Sequence, residues 1–527
     1  MSVGGIFTLV TSDDASDKLF TAMDLLDQRL KRLKSQQGVP SLKFIEQSHI
    51  IYTRSQYIPY VGIASEYTVL GNVKFNITNN VSGTNFNIYV KTLSADFLSD
   101  CVLHVSLNAV GNKTAYWDNL NPTSTMPLYR YCAYPGIRLL QQVSFNSALL
   151  TVDSYTPEDV ISYKNFFVNS DHKSGWNRCF GQDEIQQATY NSKSFTGILN
   201  YSNGYQTPKL YQEKFEMFIP LQFWFCDDVS QALIVKKLGA TQRNFTFHIA
   251  SLDQVLQSLV YTLDEGQPPN ITQAGTQVVP LPITSLPAVA TLYGNMLYTR
   301  QEVMSVINSE VKSSLIRVHK QQISSLHSPS DIIELKQSLT YPGEYLMVGF
   351  RNKNNINDFD RWHLMGSDYL SPDPHHVKIL HVPTMVWNKQ LQTRQLVARE
   401  AIQATSMNAI MDTLSITANS GIVIYPTLPA GFYNSYLPIR YPKNSLVVSP
   451  LDNSMFLISF ALYPGKTNPS GHFNFSVNRE VILTYAMKEH YSANPSKYEY
   501  VICMSALNFL MYDKNSASDN LSLYMSM

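Results

Sequence analysis

Gly465-Lys466-Thr467 is the stretch of this sequence that most invites a chemical reading, because it copies the end of a phosphate-binding P-loop. The copy fails at both ends. The motif needs a glycine where Phe460 stands, and a helix after the Lys-Thr that Pro469 opposes. A second candidate is the histidine cluster His363, His375, His376 and His381, with Asp360, Asp368 and Asp373 nearby. Such residues can ligate zinc. Adjacent side chains on a strand point to opposite faces, however, so His375 and His376 cannot both serve one site. A loop or interface histidine pair is the reading adopted. Asp227-Asp228 reads as a solvated turn after a buried strand, not as an acid/base pair. No G-x-S-x-G elbow, HExxH or dinucleotide fingerprint occurs. The expectation is a chain with no catalytic residues, no bound metal and no cofactor.

The elements around these residues are strands. Charged residues make up only 15% of the 527, and aromatic residues reach 12%, with 32 Tyr and 25 Phe. Low charge and many aromatic residues favour sheets with extensive buried surface. With 40 basic and 40 acidic residues and no basic arm, direct nucleic-acid contact is not expected. The five cysteines, Cys101, Cys132, Cys179, Cys226 and Cys503, lack CxxC spacing and read as reduced thiols. The apolar run 3–10 has no basic residue before it and two glycines within it, unlike a signal peptide. No apolar run approaches the ~20 residues that span a bilayer. Sequons such as those at Asn244 and Asn474 fall in predicted strands and read as unmodified.

In chain order, residues 13–36 predict a helix. Leu19, Met23, Leu26, Leu30 and Leu33 draw one stripe, acidic residues open it, basic residues close it, and Gly38 and Pro40 stop it. From 41 to 263, short alternating runs separated by turns predict strands: Val73, Phe75 and Ile77; Phe86, Ile88 and Val90; Cys101, Leu103, Val105 and Leu107. Residues 157–204 lose periodicity and read as a long external loop with a helix after Pro157. Residues 264–287, with five prolines, read as the linker between two halves. The Asn-Phe pieces at Asn244 and Asn474 suggest a tandem copy of one fold. Residues 455–485 show Phe456, Ile458, Phe460 and Leu462 alternating, then a turn at 464–471, then Phe473 and Phe475.

That last segment, with Phe460, Ala461, Leu462, Pro464, Pro469, Ser470, Gly471, His472, Asn474, Ser476, Arg479 and Glu480, resembles a C-terminal signature of large-DNA-virus major capsid proteins. The run Pro220, Leu221, Phe223, Phe225 is similar to the segment closing their first jelly roll. The stretches Tyr131-Cys132-Ala133-Tyr134-Pro135-Gly136-Ile137-Arg138-Leu139 and Ile316-Arg317-Val318-His319-Lys320 resemble the asfarvirus members most closely, as do Glu344-Tyr345, Arg361-Trp362-His363 and 435–438. The resemblance spans nearly the whole chain and departs in the first half, where this chain is shorter. It implies an all-β fold of two tandem eight-stranded antiparallel jelly rolls: an N-terminal helical arm at 1–40, a first roll at 41–263, the linker at 264–287 and a second roll at 288–527. It further implies homotrimeric, pseudo-hexagonal capsomers that tile an icosahedral shell and are assembled in host cytoplasm. The implied partners are neighbouring capsomers, minor capsid or penton proteins, and an inner viral membrane on the side of the arm. Two alternatives are a poxvirus-like assembly scaffold of the same fold and, in another class, a β-sandwich carbohydrate-binding or hydrolytic protein.

Overall fold

A computed structural model describes residues 64–523 apart from internal stretches, the longest being 114–126, 183–204, 262–275 and 367–376. The helix expected at 13–36 and the arm it would form lie outside the described residues, as do His375, His376 and Arg479.

The alternating runs fold as strands because period-2 patterning gives each one an apolar face. Arg243–Ile249 buries every second residue, and so does Val481–Met487. In the first half, Ala64–Thr78, Ser285–Tyr298, Phe97–Leu107 and Leu233–Ile234 lie side by side, and Phe215–Pro220 also pairs with Phe97–Leu107. The facing sheet runs Thr84–Tyr89, Arg243–Ile249, Leu140–Ser147 and Leu150–Tyr155. In the second half, Ser313–Ser325, Tyr498–Tyr512, Pro342–Asn352 and Met455–Ser459 form one sheet. The other holds Ser330–Glu334, Val481–Met487, Met411–Ala418 and Ile422–Pro429. When the eight main strands of each half are counted in chain order, both halves give the same two sheets. One runs first, eighth, third, sixth; the other runs second, seventh, fourth, fifth. Every pairing is antiparallel. This is the jelly-roll order, present twice.

Four expectations change. Ser285–Tyr298 begins inside the segment read as linker, yet it sits at the centre of the first roll, paired with both Ala64–Thr78 and Phe97–Leu107. The junction therefore follows Tyr298, and the proline-rich segment is an excursion within the first roll. The segment also holds Thr276–Val279, which pairs with Leu256–Tyr261 just before it. The Asn-Phe likeness is not the repeat either. Asn244 lies in the seventh strand of its roll, whereas Asn474 precedes the seventh strand of the other. The helix expected after Pro157 is present as Pro157–Phe167, but the rest of 157–179 is not a loop: a second helix, Ser170–Cys179, follows. In the first, Asp159 accepts the Thr156 backbone N–H at 2.9 Å, which closes a helix-start box. Finally, Met455–Ser459 is buried on both faces, not one, and Leu462 is exposed. One face of that strand fills the second roll, and the other meets Pro157–Phe167 of the first.

Candidate functional site: the seam between the rolls

The first strand of the second roll, Ser313–Ser325, divides its side chains by parity. Ile316 and Val318 are buried in the roll's own sandwich. Arg317, His319 and Gln321 project from the opposite face, toward the first roll.

Arg317 is held by a buried carboxylate. Its Nε donates to Glu344 Oε2 at 2.6 Å and its Nη2 to Oε1 at 3.2 Å. The remaining donors reach the turn that mimics a P-loop: Nη2 to the Lys466 carbonyl at 2.7 Å, and Nη1 to the Thr467 carbonyl at 3.0 Å. Instead of cradling phosphate with its N–H groups, this turn offers its carbonyls to a guanidinium. It also docks on the first roll. Thr467 Oγ1 donates to Asp228 Oδ2 at 2.8 Å, and Gln231 Nε2 donates to the Thr467 carbonyl at 3.1 Å. Gly465 holds φ at +79°, and a Cβ there would lie 2.7 Å from the Phe167 ring. Asp228 is thus more than a solvated turn. Its Oδ1 accepts the Ser230 N–H at 2.7 Å while Oδ2 binds the other roll.

His319 meets Asp153 twice, through its backbone N–H at 2.9 Å and through Nδ1 at 3.0 Å. Burial alone would push the imidazole toward its neutral form. The Asp153 charge and hydrogen bond, with Asp159 and Asp227 nearby, win and raise its pKa to about 9. Beside it, Gln321 Nε2 donates to Thr156 Oγ1 at 3.0 Å. Arg351 bridges Glu499 of its own roll at 2.7 Å and Glu158 of the seam helix at 3.1 Å. Lys320 lies 4.4 Å from the Tyr341 ring centroid.

A second lock sits at the Tyr131–Leu139 motif. Tyr134 adopts φ +44°, the left-handed region, and starts the short helix Pro135–Leu139. Arg138 donates to the carbonyls of Asp358 at 3.2 Å and Ile356 at 3.1 Å, and its guanidinium lies 5.3 Å from the Trp362 ring. Trp362 Nε1 donates to the Ala133 carbonyl at 2.6 Å, and Ala133 N–H to the Phe359 carbonyl at 2.9 Å. His363 packs on Tyr134 here. Burial, then Lys164 and Arg138, push its pKa well below the usual imidazole value. A site ringed by cations does not suit a metal, and among the described residues no group of three ligating side chains gathers.

The remaining signature residues shape the core and the turn. Phe223 and Phe225 are fully buried and stack 5.7 Å apart, and Pro220 ends the Phe215–Pro220 strand. Ser470 accepts from Tyr463 N–H through Oγ at 2.8 Å, and Gly471 at φ +137° passes so close to Phe460 that a Cβ would lie 2.9 Å from its carbonyl oxygen. Pro469 and His472 flank this pair and are half-buried. Asn474 Oδ1 accepts Ser476 N–H at 3.0 Å and Ser476 Oγ–H at 2.6 Å, and Glu480 is exposed just before the seventh strand. Reading the sequence missed Asp153, Glu158 and Asp228 as partners. The available signal was a charge inside an apolar run, Asp153 in Leu150–Tyr155 and Glu344 in Pro342–Asn352, since a buried charge requires a partner.

Two jelly rolls of one strand order, fixed side by side, are also what comparison finds. The Faustovirus major capsid protein superposes with a TM-score of 0.59 at 23% identity, over 95% of this chain and 100% of that one. A quasi-atomic structure of the PBCV-1 virus capsid gives 0.58 at 16%, over 90% and 100%. In sequence, the major capsid protein of African swine fever virus is 24% identical over 98% of this chain and 99% of its own length, and a hexon protein p72 of that virus is 25% identical over the same shares. Over nearly its whole length the chain is thus similar to major capsid proteins of large DNA viruses, and it shares their double jelly-roll fold. No family model matches it. These relatives are capsid proteins of virions, not enzymes. The seam of this chain is a mechanical joint.

Proposed function

We propose that this major capsid protein assembles as a homotrimer of pseudo-hexagonal outline, and that such capsomers tile the icosahedral outer shell of the virion. The observation that carries the reading is the seam. Two rolls with one strand order are locked by His319, Arg351 and Arg138, and by the Thr467 turn that Arg317 holds against Asp228. Three such rigid pairs about an axis present six comparable walls, and closure requires each subunit's first roll to meet the next subunit's second. Low charge and abundant Tyr and Phe suit an interface with an apolar centre. Neighbouring capsomers are the lateral partners. Minor capsid or penton proteins and an inner membrane are the partners on the inner face, and assembly takes place in host cytoplasm. Light scattering on purified protein tests the first step. Three chain masses are expected at both low and high salt, because salt screens exposed charges over ~10 Å and leaves buried apolar area untouched. A folded monomer at micromolar concentration refutes the reading.

A further inference from the structure

The helix Ser170–Cys179 starts beside the seam with its first N–H groups uncommitted. Its Asn169 cap makes no side-chain hydrogen bond to the first turn, and the Ser170 and Asp171 N–H groups have no acceptor among the described residues. Two lysines converge on the same place. Lys173 closes the first turn of this helix, and Lys164 comes from the preceding helix, Pro157–Phe167. Both line one cavity of about 190 Å³, with Ser170 beside them and Val448 and Ser449 of the second roll across from them. The Val448 N–H donates to the Phe166 carbonyl at 2.7 Å, which fixes that wall against the first roll. Asn169, Ser170 and Ser449 are exposed, so the cavity opens to solvent. Lys164 is the unusual member. Its Nζ lies 3.5 Å from the Tyr134 ring centroid and 5.8 Å from that of Trp176. Among the described residues, no carboxylate or carbonyl is within hydrogen-bonding distance of it. Asp452 favours its charged form, but the Asp452 oxygens already accept the N–H groups of Met365, Gly366 and Ser454. A largely enclosed ammonium beside a second lysine is costly, and the faces of two rings offset that cost only in part.

We propose that this cavity binds a compact oxyanion of the phosphate class, either inorganic phosphate or the head of a small phosphomonoester. The two ammonium groups supply the opposite charge. The Ser170 and Asp171 N–H groups and the Ser449 hydroxyl donate to the anion's oxygens, and the positive end of the helix dipole acts in the same direction. The carboxylate of that turn, Asp171, is exposed to solvent and engaged by the Ser170 hydroxyl at 3.2 Å, so its repulsion is screened. Burial, and then Lys173, lower the Lys164 pKa to about 7, and a bound dianion restores the ammonium by supplying the counter-charge that the cavity lacks. The anion bridges both helices of the first roll to residues 448–449 of the second, so it strengthens the seam from within one chain.

The test is calorimetric titration of the full-length protein at pH 8, with ionic strength held by chloride. Inorganic phosphate is the titrant in one arm and glycerol 3-phosphate in the other. Saturable binding of one anion per chain is expected, and the arm that responds identifies the source. Lys173→Gln, at a half-buried position in the first turn, is expected to keep the fold and weaken binding at least about tenfold, the loss of one charge-assisted hydrogen bond. Lys164→Met is expected to weaken it similarly. Wild type should also take up protons on binding, seen as a measured enthalpy that shifts with the buffer's ionisation enthalpy, and Lys164→Met should remove that uptake. If Lys164→Met does not fold, Lys173→Gln decides alone. No saturable heat with either anion at millimolar concentration overturns the proposal. So does binding that the folded variants leave unchanged.

Discussion

Replacing Arg317 by alanine tests whether the seam depends on its ion pair. The guanidinium makes four hydrogen bonds, two to Glu344 and two to the carbonyls of Lys466 and Thr467. Glu344 is 3% exposed, so the substitution leaves a carboxylate buried without its counter-ion. Breaking such a pair from one side costs ~3–5 kcal/mol. The two carbonyls add less, because the 465–467 turn is only half-buried and water can replace the lost donors. A loss of about 4 kcal/mol follows. In a cooperative unit of roughly 250 residues this lowers the unfolding midpoint by about 8 °C, at ~2 °C per kcal/mol. Removing both charges with Arg317→Ala and Glu344→Leu leaves no buried charge without a counter-ion, so the double variant should recover most of the loss. Differential scanning calorimetry at pH 7 on all four members of the cycle gives the coupling directly. If Arg317→Ala melts within ~2 °C of wild type, or the double variant is no better than the single, the pair does not have the role assigned to it.

Two further outcomes follow from the same joint. The His319 pKa is raised in the folded chain from 6.5 to about 9, so the seam's stabilisation by imidazolium is complete below 6.5 and lost as pH rises through about 9. Melting temperature measured across that window should fall in wild type and stay flatter in His319→Gln; identical slopes would show that another group titrates. Gly465→Ala forces a side chain into a left-handed conformation and against Phe167, at a cost of ~1–2 kcal/mol for the backbone alone. Calorimetry should show Phe167→Ala partly rescuing it, whereas purely additive losses would place the strain elsewhere.

The strands were legible wherever one face of a sheet is buried and the other is not. Arg243–Ile249 and Val481–Met487 show the period plainly. Legibility fell where a second layer covers the outer face. Pro342–Asn352 and Met455–Ser459 are buried throughout, so their apolar runs carry no period that says which side faces what. The helix Pro157–Phe167 was expected from its start at Pro157, but its place in the seam was obscured for a related reason. It touches both rolls, so Val160, Ile161, Phe166 and Phe167 are all buried and no single stripe emerges. The domain boundary was misread because prolines report where a chain turns, not which sheet its next strand joins. That choice is made by partners such as Ala64–Thr78, more than 200 positions away. The signature residues at 469–476 were found by resemblance, and their role as a closed turn needed the geometry of Gly471 and Ser470.

Apolar burial alone does not explain why the joint has one register. Hydrophobic contact is non-directional, and two sheets rich in Val, Ile and Phe can slide with little change in area. Along Ser313–Ser325 the charges remove that freedom. Arg317, His319 and Gln321 share one face at intervals of two; His319 and Gln321 meet Asp153 and Thr156 of the first roll, and Arg317 fixes the 466–467 carbonyls of its own roll, whose Thr467 side chain docks on Asp228. A slip of one residue would turn Arg317 and His319 into the sandwich core and Ile316 and Val318 out toward Asp153. A slip of two would set the guanidinium against the histidine's partners and leave Glu344 alone. Beside Ser313–Ser325 the carboxylates Asp153, Glu158 and Asp228 come from the first roll and the cations His319 and Arg351 from the second, whereas at the other lock Arg130 and Arg138 of the first roll reach Asp360 and the Asp358 and Ile356 carbonyls of the second. A displaced pairing of the two rolls would separate these charges from their partners. A rigid pair with a single register is what a repeating lattice requires of its building block.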